Sequence, residues 1–371
     1  MRCLIYLPLT QIPSHIAMKI TQVSHLINLT FGVCLFGIAA SFQSCKNDFD
    51  VNGPWKETMV VYGLLDPSDD IQYVKISKAF LGKGNAYDMA KVADSSNYAP
   101  GVIEANLEQY NPSNQLVKTI PLKLDSSVAK SSGTFATTPN YLYSTTEKLT
   151  QDGSYYALRV KNLSSGKEIL SSTPIVGKIS LISPFSTQSI DYITNYNASK
   201  GVPAKVKWAT APGGKMYQLT IRFNYQEVVR NTTDTLNKSL DWVFPVSISN
   251  YTDGSEEMVQ ELYGEEFFTF LASKIPVDHS LRRFPGKLEY IVTMGAEELY
   301  NYTEINKPST GIVQEKPLYT NIQGGIGIFS SRSTQKSNLF KLNDKSLNEL
   351  LTGPHTIDLD FCIIGPGSPC N

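Results

Sequence analysis

The residue best placed to do chemistry in this chain is Cys45. Its thiol follows the small Ser44 and lies downstream of a positively charged start and an apolar run, Leu26 to Ala40. A secretory signal has a basic beginning, an apolar stretch of ~7–15 residues and small residues at its cleavage site. A cysteine at such a junction can form a thioether with a lipid, so Cys45 is the expected lipidation site and residues 1–44 the expected signal peptide. Met18, followed at once by Lys19, is the expected true start, which leaves residues 1–17 as an upstream extension. Phe42 stands where leucine is commonest and Gln43 where alanine or serine is usual, but the chemistry itself needs only the thiol and the small residue before it. A transmembrane helix is the competing reading. Spanning takes ~20 predominantly apolar residues, and the uninterrupted run is shorter. Several acyl chains, each adding ~0.8 kcal/mol per buried methylene, would hold the protein stably at a membrane. Residues 45–57 then form the tether. Its Lys46 to Asp50 segment is either a surface-export signal or an ordinary flexible terminus.

The other reactive residue types do not form a recognisable set. Cys3 and Cys34 lie in the removed segment, which leaves Cys362 and Cys370 either to pair in an oxidising envelope or to remain free thiols. After Cys45 the chain has only His279 and His355, with no HExxH or CxxC motif, so no metal site is expected. Asp66, Asp69 and Asp70 lack the alternation and distal glutamate of an EF-hand loop and read as a polar turn. There is no G-x-S-x-G elbow. Asp278 and His279 would point apart on an extended segment, and after Pro276 the pair reads most simply as a loop. Glu265-Glu266 and Glu297-Glu298 begin expected helices, where acids interact favourably with the dipole. Gly324, Gly325 and Gly327 do not match a dinucleotide fingerprint; glycine within a strand more often marks a bulge or the close approach of another backbone. No cofactor is expected. A net charge of −1 without a basic cluster argues against nucleic acid as a partner.

The elements that would position these residues are strands. Tyr is frequent, at 20 residues, and such aromatic and β-branched side chains favour strands. TMVVYGLLD, IQYVKIS, VIEANLEQY, LVKTIPLKL, TFATTP, SYYALRVKN and KEILSSTPIV read as short strands with Asp, Asn, Pro and Gly turns between them, and period-two alternation marks Val60, Tyr62 and Leu64 and again Tyr156, Leu158 and Val160. That spacing predicts an immunoglobulin-like β-sandwich over 58–178, with the boundary near Val176 to Ser180. AKVKWAT and KMYQLTIRFNYQEV open a second β domain over 179–371, fibronectin-III-like, with Trp208 expected to pack under the Tyr217 strand; a generic hairpin is the alternative. Asp253 and Glu256 suggest a capping box and a helix over 256–263, and Phe267, Phe268, Leu271 and Ile275 recur at helical spacing over 265–273. Ala296 to Asn306 predicts a further short helix. The fold class is thus all-β, two sandwiches with helical insertions. Tyr300 and Tyr302 on that last helix offer a partner surface or cover a sheet edge.

The signal with Cys45, the Val61-Tyr62-Gly63 strand followed by YVKISKAF, the SYYALRV strand and Asn321 to Phe329 together resemble the domain of unknown function 4249 family of Bacteroidota envelope lipoproteins. Phe267, Phe268, Leu271, Tyr300 and Tyr302 add weaker similarity, and the likeness spans nearly the whole chain after Cys45. The resemblance implies an outer-membrane lipoprotein beside a TonB-dependent transporter, and it carries over no catalytic residues. A non-catalytic binding or accessory role is expected. A surface glycan-processing hydrolase and an adhesive or structural envelope protein are the alternatives.

Overall fold

Alternating burial builds two sandwiches, and one long strand joins them. The computed structural model describes residues 56–82, 84–230, 232, 234–308 and 317–363, all within the compact unit Trp55–Asn371. In the first sandwich, β1 (Met59–Leu65), β2 (Gln72–Lys78), β5 (Lys123–Asp125) and β6 (Leu142–Thr145) form one layer in the order β1-β2-β6-β5. The facing layer is β4-β3-β7-β8, built from β3 (Ile103–Tyr110), β4 (Leu116–Pro121), β7 (Tyr155–Asn162) and β8 (Glu168–Pro174). Met59, Val61 and Leu65 of β1 and Val74 and Ile76 of β2 point inward against Leu107, Tyr156 and Val160. Two short helices, α1 (Ala86–Ala90) and α2 (Ala93–Ser96), lie between β2 and β3.

The second sandwich repeats the plan. β9 (Ser180–Ser183), β10 (Ala204–Ala209) and β13 (Glu257–Leu262) make a sheet in the order β13-β10-β9. β11 (Met216–Val229), β12 (Thr235–Ile248), β14 (Leu281–Gly295) and β15 (Ile326–Phe340) run in the order β12-β11-β14-β15. The second sandwich thus sets three strands against four. Trp208 of β10 meets Tyr217 of β11 with ring centroids 6.5 Å apart, across two sheets rather than within a hairpin. Helices α3 (Gly264–Lys274), α4 (Glu297–Asn306) and α5 (Asp344–Thr352) are insertions. α3 buries Phe267, Phe268 and Leu271, as their spacing predicts, and Gly264 starts it because a Cβ there would lie 1.7 Å from the Tyr192 carbonyl oxygen.

The junction is β15. Its start pairs in parallel with β1, from Val60↔Ile326 to Leu65↔Ser331, and its remainder pairs antiparallel with β14, from Gly295↔Arg332 to Leu288↔Phe340. One eight-stranded sheet therefore runs through both sandwiches. Ile175 belongs to the first hydrophobic core and Val176 to the second, and Ile322 and Phe329 return to the first. The joined sheet spans residues of both 58–178 and 179–371.

Two local expectations fail. The 256–263 segment holds strand β13 in place of a helix, because Met258 and Leu262 are buried on the same face against β10 and the Glu256 carboxylate accepts from Ser249 Oγ (2.6 Å) and Asn250 N (2.7 Å) instead of capping a helix. TFATTP, 134–139, forms no strand: Phe135 is exposed, Pro139 has no donor, and the pairing strand is β6 just beyond it.

Candidate functional site

The outward positions of β1 and β2 assemble the most distinctive surface. Inward Val61, Val74 and Ile76 force Val60, Tyr62, Lys75 and Ser77 to the opposite face, in the register Val60↔Ser77 and Tyr62↔Lys75. Two connecting segments roof part of this face with Phe80, Asn97, Lys130 and Phe135, enclosing a recess of about 450 Å³. Lys75 Nζ donates to Tyr141 O (2.9 Å), Asn140 Oδ1 (3.3 Å) and Asn97 Oδ1 (3.4 Å). Burial, then the charge of Lys130, lowers its ammonium below the ordinary lysine value.

At the edge of the recess the Tyr62 ring, 48% exposed, meets Tyr302 of α4 edge-on, with centroids 6.5 Å apart. Both Tyr300 and Tyr302 are half-buried. The tyrosine pair thus covers part of the joined sheet through Tyr302, and Tyr62 extends the aromatic surface outward. Beneath α4, the Glu298 carboxylate accepts from Thr173 Oγ1 (3.4 Å) of β8 and Ser330 Oγ (3.5 Å) of β15, where the two sandwiches meet. Burial, reinforced by the neighbouring Glu297 charge, raises Glu298 above the usual carboxylate range despite those hydrogen bonds. A raised folded-state value means that its contribution is fully present below the unfolded value and is lost as pH rises through the folded one. Glu298→Gln should therefore melt higher than wild type at pH 7, with the difference closing below about pH 4. An equal difference at both pH values in thermal melts contradicts this.

A second recess, an open trough of about 730 Å³, lies between β12 and α3. Trp242 and Phe270 stack along it at 5.8 Å and 17°. Three lining carboxylates are already engaged: Glu261 with Lys205 Nζ (3.1 Å), Glu265 with Asn197 Nδ2 (3.1 Å) and His355 Nε2 (3.3 Å), and Glu266 with the Tyr263 amide (3.0 Å).

The remaining sequence candidates scatter. Cys45 and Cys370 lie outside the described residues. Cys362 is buried and disulfide-bonded. Asp66 is occupied by Ser68 and by Arg332 of β15 (3.0 Å), and so ties the β1–β2 turn to the junction strand. Asp278 caps Ser280, whereas His279 Nδ1 pairs with Asp360 Oδ2 at 2.7 Å; the two neighbours lie in a turn closed by Leu281 N donating to Asp278 O (3.2 Å), and they engage different partners. Among the described residues no three His, Cys, Asp or Glu side chains gather as a metal site, and no helix is long and apolar enough to cross a membrane.

Sequence reading missed Lys75, Lys78, Lys130 and Phe135. Lys75 had a signal, an ammonium between two inward apolar residues in YVKISK. Lys130 and Phe135 lie in irregular chain and had none. Neither the family models nor the curated proteins with which the chain was compared match it.

Proposed function

We propose that this chain is a lipid-anchored lipoprotein of the outer membrane that acts as a non-catalytic binding or accessory subunit of a TonB-dependent uptake system. The observation that carries the reading is the Ser44-Cys45 junction after its apolar run, because a thiol in that position has a specific chemical use. The resemblance to the domain of unknown function 4249 family supports the transporter as partner. A binding role is also favoured by the trough, whose carboxylates are held by Lys205, Asn197, His355 and a helix amide rather than presented to a substrate. The Tyr62–Tyr302 surface supplies a contact face of the amphipathic aromatic kind common at interfaces.

Isolation from native membranes in mild detergent tests the partnership. The protein should be recovered with a TonB-dependent transporter, and Tyr62→Ala should weaken that recovery. Migration alone, with no transporter captured, overturns it. The glycan-processing alternative has one observation in its favour, the Trp242–Phe270 stack beside three glutamates. Release of sugar from envelope glycans by the purified protein would establish it, and glycan capture without turnover or transporter would favour the adhesive alternative.

A further inference from the structure

The recess on the outer face of β1 and β2 combines cations with apolar walls. Lys75, Lys78 and Lys130 all line it, and among the described residues no aspartate or glutamate does. Lys75 has its three donors directed to Asn97, Asn140 and Tyr141, so it supplies field rather than a free hydrogen bond. Lys130 donates to Ala136 O (3.1 Å) and Phe135 O (3.4 Å), which leaves one N–H. Lys78 has no carboxylate within salt-bridge distance among the described residues; its ammonium lies 5.8 Å from the Tyr98 ring. Glu57, which shares Tyr98 with that ammonium, accepts from Tyr98 Oη (3.1 Å) and Asn162 Nδ2 (2.6 Å). Like charges that share a partly desolvated recess repel, and an anion placed among them relieves that repulsion.

The walls restrict which anion fits. Val60, Phe80 and Phe135 leave apolar surface in the recess, and Phe135 is 49% exposed. A small hydrated ion would neutralise the lysines and leave this surface wet. A volume of about 450 Å³ lies within the range of small-molecule sites.

We propose that this recess binds a small amphiphilic carboxylate, its head between Lys78 and Lys130 and its apolar body along Val60, Phe80 and Phe135. Charge-assisted hydrogen bonds from the two ammoniums hold the head, and exclusion of water from the aromatic walls holds the body. The assignment is independent of the membrane partnership, because it is read from the recess alone.

Titration calorimetry on the purified full chain tests it with three soluble probes: octanoate, 1-octanol and acetate. Octanoate should bind at least tenfold more tightly than either of the others, since octanol lacks the charge and acetate the body. Lys78→Met with Lys130→Met should lower octanoate affinity at least tenfold, leave octanol unchanged, and preserve the melting temperature, as expected for solvent-facing side chains. Equal binding of octanol removes the charged head from the proposal, and equal binding of acetate reduces the recess to a simple anion site. Absence of octanoate binding, or an unchanged affinity in the folded double variant, overturns it. Failure to recover a transporter leaves every one of these outcomes readable.

Discussion

Gly327→Ala should break the junction between the two sandwiches and lower the melting temperature by on the order of 10 °C or more, if the variant folds at all. Gly327 sits in β15 with φ +116°, a region that L side chains rarely adopt. A Cβ there would lie 1.9 Å from the Val61 carbonyl oxygen and 2.9 Å from its carbon. Both are backbone atoms, so no side-chain rotation relieves the clash. The strain of the conformation costs about 1–3 kcal/mol, and displacement of β1 adds the loss of the parallel pairs on either side, Val60↔Ile326 and Tyr62↔Ile328. The neighbouring chain cannot yield easily. Asn321 brackets Phe329 through its amide, accepting from Phe329 N (3.0 Å) and donating to Phe329 O (2.6 Å), and the Phe329 ring fills the space over Gly63. Thermal melts with hydrogen exchange across β1 should show the loss concentrated at that strand; a wild-type melt contradicts this account of the junction.

Arg283→Ala should cost about 3–5 kcal/mol, because it removes a fully buried guanidinium, weakens the pairing of Glu227 and leaves the Leu359 and Pro276 carbonyls without their donor. The Arg283 side chain is fully buried; Nε donates to Glu227 Oε1 (3.1 Å), Nη1 to Leu359 O (2.8 Å) and Nη2 to Pro276 O (3.0 Å). Its backbone receives the same tail segment, with Arg283 N donating to Asp360 O (3.0 Å) and Cys362 N donating to Arg283 O (2.8 Å). The guanidinium therefore joins β14 to the chain that leads into Cys362. Lysine should not rescue it, since one ammonium cannot reproduce the planar fork. Arg283→Met with Glu227→Gln should be less destabilised than Arg283→Met alone, because the second change removes a carboxylate left with only Lys238 Nζ, at 3.7 Å. Denaturant unfolding reads the stability, and limited proteolysis after residue 357 reads release of the tail. Additive losses in the double variant would deny the coupling.

How far the fold was legible depended on whether a segment's pattern was decided locally. β1, β3, β7 and β11 alternate buried and exposed positions with few interruptions, so their period was visible before any pairing was known. α3 was equally plain, because Phe267, Phe268 and Leu271 lie on one helical face. β12 was not: as the edge of the joined sheet it buries only Phe244 among its fourteen residues, and its exposed Thr, Asn, Lys and Ser carry no period. β13 was misread since Asp253 and Glu256 look like a helix start until the Ser249 and Asn250 donors come into reach. The junction was legible only as a hint. Gly324, Gly325 and Gly327 signalled close backbone approach, and Gly327 does lie against Val61, but nothing local said that the approaching strand would be β1, more than two hundred residues earlier.

The candidate site was legible to the same degree. Tyr302 stands out as an aromatic on a short helix, whereas nothing local in the strand sequence around Tyr62 points to the helix that it meets. The lysine recess depends on loops that bring residue 130 over residue 75, a long-range placement without periodicity to announce it. Cys45 is the opposite case. Its chemistry is local and readable from sequence, and it lies outside the described residues.

Cys45→Ala is accordingly the most direct measurement of the central claim, that this is an envelope protein held by lipid on that thiol. Cells expressing wild type and variant are fractionated, and the membrane and soluble pools are compared together with incorporation of labelled palmitate. Wild-type protein should carry label and sediment with the outer membrane, whereas the variant should lose the label and move to the soluble pool. Retention of the unlabelled variant in the membrane would contradict the anchor, and with it the proposed address of the protein.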